Sequence, residues 1–295
     1  MRSYLPFFLC LSLAVSFCAL PAFSQGGTAS LRGTVTDPGG LSVAGANVQA
    51  VNVDTNASTP STTNDAGIYN LPTLPPGNYR IVVQKDGFNG IERRGVVLHV
   101  ADSITLDFAL QVGAVSQTVS VSGEAPLVNT SNSTLGGLVQ SDEVASLPLN
   151  GRNYINLTLM QPGIAPSTNV AIGGSYNGTW FSSNGATIHS NNFLLDGAIM
   201  QDNNAGSTGN FSGRTLGLDG IQEYRVITNN FSAEYGLTMG SQTIMVSKSG
   251  TNQFHGSAFE YLRNSALDAR NFFDKSIQAN NFQRLPPFKR NNFGA

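Results

Sequence analysis

Imidazole is scarce in this sequence: His99, His189 and His255 are its only histidines. His99-x-x-Asp102 has the residue types of half a zinc site, but a closed site needs three or four convergent ligands. Alternation along an extended segment also puts His99 on a strand face, where a structural role accounts for it. Gly174-Ser175 lacks the G-x-S-x-G spacing of a nucleophile elbow, and Lys248-Ser249 lacks the glycines that cradle a phosphate. Asp196 and Asp202, with asparagines nearby, offer oxygen ligands of the kind calcium takes, yet the same residues are turn formers. No constellation for acid–base or nucleophilic catalysis is present. The expectation is a protein that is not an enzyme, with no catalytic residues, no metal and no cofactor.

Thiol chemistry is excluded by position. Arg2 gives the first residues a positive charge, Phe7 to Leu20 form an uncharged apolar run, and Ala22-Phe23-Ser24 places small residues where a signal peptidase looks. Residues 1–24 are expected to be a signal peptide cleaved between Ser24 and Gln25. The apolar run falls short of the roughly 20 residues a spanning helix requires. Both cysteines, Cys10 and Cys18, lie inside this segment. The exported chain would therefore hold no disulfide, thiolate metal site or cysteine nucleophile. Without Arg2 the exported chain has 15 basic against 18 acidic residues and no basic cluster, so it carries no footprint for nucleic acid.

The elements that must position any functional residues are mostly β. Glycine is frequent, at 32 residues, and charge is sparse at 12%, a texture of short strands and turns. Ala29, Leu31, Gly33 and Val35 alternate with polar residues before Asp37-Pro38-Gly39-Gly40 turns the chain, and the alternation returns at Tyr79-Ile81-Val83 and at Ile104-Leu106-Phe108-Leu110. This spacing predicts a β-sandwich of about 85 residues. Residues 112–123 alternate valine with polar residues. Two short helical segments are expected next, one opening at Ser141-Asp142-Glu143 and one over Arg152 to Met160 that ends at Pro162-Gly163. Asp196-Gly197 between apolar runs predicts a type I′ hairpin. Strands are expected at 221–228 and 241–250, completing an α+β unit. NQFHGSAFEYLRN (252–264) alternates as a further strand, of about the length that crosses an outer membrane, with nothing after it to pair with.

Two resemblances organise these pieces. GTVTD (33–37), Gly45-Ala46-Asn47-Val48 and NDAGIYNLPTLPPGNYRIVVQKDGF (64–88) resemble the carboxypeptidase regulatory-like domain, a transthyretin-like sandwich, over about residues 28–112. LPLNGRNYINLTLMQPG (147–163), NNFLLDG (191–197), GIQEYRVITNNFSAEYG (220–236) and GSQTIMVSKSGTN (240–252) resemble, in order, the plug domain of TonB-dependent outer-membrane receptors. The Oar-like branch, which sets a carboxypeptidase regulatory-like domain ahead of the plug, is the most similar. Asn150, Gly151, Arg152, Asp196, Gly197, Glu234, Tyr235 and Gly236 carry the plug match. Ser183-Asn184-Gly185-Ala186-Thr187 stands where many receptors have Ile-Arg-Gly, so ligand class does not follow from siderophore receptors.

The resemblance implies signal peptide 1–24, sandwich 25–112, linker 113–134, plug 135–250 and the truncated start of an outer-membrane β-barrel at 251–295. The rest of a barrel of about 22 strands would lie beyond Ala295, making the chain an amino-terminal fragment. Gln117-Thr118-Val119-Ser120-Val121 resembles a TonB box, an extended segment that pairs with TonB by strand addition. The same residues also fit a last strand of the preceding sandwich. The implied protein is a receptor-transporter in the cell outer membrane with its sandwich in the periplasm. Its partners would be TonB, outer-membrane lipid through the barrel, and an unidentified extracellular ligand. The alternative is a secreted or surface adhesion protein whose sandwich binds carbohydrate.

Overall fold

The computed structural model describes residues 27–113, 118–121, 134–141, 143, 147, 149, 154–167, 180–200, 216–231, 235–236, 238–269 and 287–294. The chain divides into two compact units, Met1–Gly250 and Thr251–Ala295.

The first unit opens with strands β1 (Ala29–Thr36), β2 (Asn47–Asn52), β3 (Ser58–Thr62), β4 (Ile68–Leu74), β5 (Gly77–Gln84), β6 (Gly90–Leu98), β7 (Ser103–Thr105), β8 (Phe108–Ala109) and β9 (Thr118–Val121). They form two sheets. One runs β4-β1-β7 with β8 also on β1, and the other runs β3-β2-β5-β6-β9. Alternate residues of both sheets, among them Leu31, Val35, Val48, Tyr69, Leu71, Ile81, Val83, Leu98 and Phe108, form one buried core. This is the sandwich that period-2 alternation predicts.

The run Ile104 to Leu110 is broken where one strand was expected. β7 and β8 each pair with β1 in parallel, and between them the Leu106 carbonyl turns inward to accept the Tyr69 hydroxyl proton at 2.6 Å. Asp107 Oδ1 accepts from the Thr34 amide and hydroxyl at 2.7 and 2.8 Å. Gly33 makes room for the break, because a Cβ there would lie 1.9 Å from the Leu106 oxygen. A side chain on β1 would force the connection out of the sheet.

Beyond the two sheets of the sandwich, the same unit holds a further sheet, called the second sheet below. Its strands are β10 (Leu135–Gln140), β13 (Asn192–Leu195), β14 (Ala198–Ile199), β15 (Ile221–Asn229) and β16 (Gln242–Ser247), in the order β10-β15-β16-β13-β14, while β11 (Ile164–Pro166) pairs with β12 (Phe181–Ser183) beside it. β13 lies parallel to β16, and β15 is antiparallel to both β10 and β16. Val139, Leu157, Phe181, Phe193, Ile221, Tyr224, Val226 and Met245 pack on one side. The expected helix before Pro162 is a 3-10 helix, Tyr154–Met160. β-branched residues at 155 and 158 are weak α formers, and Thr158 is buried with its hydroxyl against that of Tyr224. At the first helical signal, the Leu147 amide donates to the Glu143 carbonyl across one turn.

The second unit holds β17 (Phe259–Asn264) and β18 (Lys289–Gly294), paired antiparallel. The expectation of a strand beginning at 252 with no following partner is corrected on both counts. Residues 252–258 are kept from extending by local bonds, the Thr251 hydroxyl accepting from the Gln253 amide and the His255 ring nitrogen Nδ1 meeting the Gln253 carbonyl. Such side-chain bonds compete with a ladder. The partner strand lies within the chain, at 289–294.

Candidate functional site

The hairpin carrying Asp196 and Gly197 forms as its residues dictate. Both sit at positive φ, 49° and 79°, the conformation a type I′ turn needs. The Asp196 carboxylate accepts from the Ser247 amide at 2.9 Å, and its own amide donates to the Met245 carbonyl at 3.0 Å. The turn is thereby tied to β16, and Asp196 serves the backbone.

Tyr235 and Gly236 lie a short way along the same sheet. The Gln242 side-chain amide donates to their carbonyls at 3.0 and 3.3 Å, and the Gln242 side-chain oxygen accepts from Asn192 at 3.0 Å. Next to this, Asn191 Oδ1 accepts from the amide and hydroxyl of Ser241, and its side-chain amide donates to the Phe181 carbonyl at 2.8 Å. Gly240 must be bare here, because a Cβ would lie 2.5 Å from the Ser190 oxygen. The result is a buried amide network at the end of the β13–β16 pair. Asn191, Asn192, Ser241 and Gln242 are thereby bonded to one another and to backbone, while Asn192 Oδ1 is buried with no hydrogen-bond partner among the described residues. In Ser183-Asn184-Gly185-Ala186-Thr187, Asn184 and Gly185 take positive φ, 50° and 80°, and the Asn184 side chain donates to the Thr228 carbonyl.

A junction that sequence reasoning missed joins the sandwich to the second sheet. The turn 99–102 between β6 and β7 presents two contacts to β15. The His99 ring nitrogen Nδ1 donates to Glu223 at 2.8 Å, while the other Glu223 oxygen accepts the Val100 amide at 2.8 Å. Arg225 donates to Asp102 at 2.8 Å, and the second Asp102 oxygen accepts the His99 amide. Glu223 is only 7% exposed, so its charge is affordable because both oxygens are bonded. The bond to Glu223 raises the His99 pKa above the ordinary histidine value against the opposing effect of burial. Val100 enters an apolar cluster with Leu194, Ile227, Tyr235, Ile244 and Val246. His99 and Asp102 therefore bind a partner sheet.

Of the TonB-box candidate, Thr118 to Val121 form β9, which lies parallel to β6 in the register Gly90↔Thr118, Ile91↔Val119, Glu92↔Ser120 and Arg93↔Val121. Gln117, the cleavage site at Ser24 and Gln25, the motif residues Asn150, Gly151 and Arg152, and Glu234 lie outside the described residues.

Comparison with known proteins bears on what this arrangement belongs to. Residues 30–111 match the carboxypeptidase regulatory-like domain, and residues 246–295 match an outer membrane beta barrel domain. The TonB-dependent transporter Oar of Myxococcus xanthus is 26% identical over 253 residues, covering 81% of this chain and 22% of Oar. The chain thus spans about a fifth of the length of this curated relative. Among solved structures, the Bacillus anthracis TIE protein is 20% identical over 29% of this chain and 17% of its own, with a TM-score of 0.25. Chlorocatechol 1,2-dioxygenase from Pseudomonas putida is 17% identical over 30% of this chain and 61% of its own, with a TM-score of 0.24. Likenesses at that level bear on neither mechanism nor partner. In its regulatory-like sandwich, its barrel sequence and its likeness to Oar, the chain is similar to TonB-dependent transporters of the outer membrane.

Proposed function

We propose that the protein is an energised receptor-transporter for an extracellular ligand, in which the β10-β15-β16-β13-β14 sheet is the plug, the sandwich faces the periplasm and residues 251–295 begin the barrel. The observation that carries this reading is the kinship with a TonB-dependent transporter over 81% of the chain, far more than the sandwich alone. Residues Gln117 to Val121 are the TonB box. TonB, driven from the inner membrane, adds a strand to this segment and pulls, and the force remodels the plug. Strand addition draws on main-chain donors and acceptors, which an alternating β-branched segment keeps extended. Such a protein binds and conducts, and needs no catalytic group. The buried amide network around Gln242 ties β13 to β16 within the sheet assigned to the plug.

The test is cysteine scanning of residues 117 to 122 in envelopes that contain TonB with a single cysteine in its periplasmic domain. A crosslink that peaks at Thr118 or Ser120 and requires ligand or an energised membrane is expected. A crosslink absent throughout 117–122 but present elsewhere in the chain would move the box.

A further inference from the structure

The same four residues that would meet TonB are already committed to a strand ladder. β9 is the outermost strand of the five-stranded sandwich sheet, and its partner β6 is an edge that would otherwise lie open. β6 carries the marks of a guarded edge: Glu92, Arg93 and Arg94 in succession, with Gly95 at φ 73°. Between Tyr79↔Val96 and Ile81↔Arg93, β6 advances three residues against two on β5, which is a bulge at Arg94-Gly95. β9 pairs with Gly90 to Arg93, and the bulge begins at the next residue of β6. The half of the edge that β9 covers is the flat one.

This pairing is built to be temporary. It is parallel, which is slightly weaker per residue than antiparallel pairing, and among the described residues it joins Gly90–Arg93 to Thr118–Val121. The alternation Gln117 to Ser122 continues in sequence to either side of the four paired residues. Asn89 donates to the Gln111 carbonyl and Gly113 donates to the Gly87 carbonyl, so residues 111–113 already run along the start of this edge.

We propose that the edge Gly90–Arg93 of the sandwich is a resting dock for the TonB box, and that TonB and the sandwich compete for residues 118–121. This rests on the reading of that segment as the box. The sandwich then acts as a latch: with β9 docked the segment is withheld from TonB, and anything that loosens β9 from β6 makes it available. The two readings of residues 117–121, box and last sandwich strand, become two states of one segment. The apparent affinity for TonB is lowered by the fraction of chains that are docked.

The register supplies the test. Glu92 and Ser120 are paired across the ladder, at the Cα spacing a disulfide spans. The full chain, with Cys10 and Cys18 changed to serine, carries Glu92→Cys and Ser120→Cys, and binding of the isolated carboxy-terminal domain of TonB is measured oxidised and reduced. The expected result is a disulfide that forms on mild oxidation, weakens binding at least about tenfold, and releases full binding on reduction, while the two single-cysteine variants bind alike in both conditions. Two outcomes overturn the dock while leaving the box in place: no disulfide between reactive thiols, or an oxidised form that binds TonB as well as the reduced form, which would mean that TonB adds to the outer edge of β9. Failure of the reduced form and of the unsubstituted chain to bind TonB would instead remove the box reading beneath it.

Discussion

At the scale of residues, the junction of His99, Val100 and Asp102 with Glu223 and Arg225 is where a charge change has the clearest consequence. Glu223 holds the His99 imidazole protonated above its ordinary range. The pair's contribution to stability is therefore complete below the free imidazole value of about 6.5 and is lost as pH rises through the higher folded value. Glu223→Gln should lower the His99 pKa in an NMR titration. It should also flatten the fall in urea midpoint that the unsubstituted chain shows as pH rises past that range. An unchanged His99 titration would place its partner elsewhere. Inside the sandwich, Tyr69→Phe removes the buried bond to the Leu106 carbonyl and leaves that oxygen unpaired, at a cost of about 1 to 3 kcal/mol by urea denaturation. Gly33→Ala should cost about 3 kcal/mol or more, because its Cβ would meet backbone at Leu106 rather than a yielding side chain.

At the scale of elements, what was legible in the sequence was what local geometry decides. Asp196-Gly197 declared its hairpin because two adjacent positive φ values favour those residues. Gly197→Val should disrupt the β13–β14 turn and lower the thermal midpoint of the first unit, with Asp196→Asn tolerated, since asparagine accepts both the φ and the Ser247 amide. The alternations at Ala29 to Val35 and Tyr79 to Val83 gave strands with the expected faces buried. The run Ile104 to Leu110 alternated just as cleanly and still broke in two, because its pairing with β1 had to pass the Tyr69 hydroxyl and the Asp107 carboxylate. The parallel seat of β9 on β6 and the Glu223–His99 contact were not legible. They join residues 28 apart and 124 apart in the chain, and no local pattern distinguishes a glutamate on a strand that will meet a distant histidine from one that will face water.

At the scale of the whole molecule, the regulatory-like sandwich, the barrel sequence and the similarity over 81% of the chain are what liken it to a TonB-dependent transporter. The two units should differ sharply in resistance. β17 and β18 bury no hydrophobic core, and an isolated two-stranded pair is marginal in water. The sandwich, with its continuous interior, resists local opening. Limited proteolysis should cut first within 251–295 and last within 27–112, and early cleavage of the sandwich would contradict this. The central claim, that residues 117–121 receive TonB by strand addition, is tested most directly by comparing Val119→Pro with Val119→Ala in calorimetric binding to the carboxy-terminal domain of TonB. Proline removes a main-chain donor and fixes φ, whereas alanine leaves the ladder intact. Binding should be abolished by proline and nearly unchanged by alanine. Equal binding by the two variants would show that TonB does not pair with this segment.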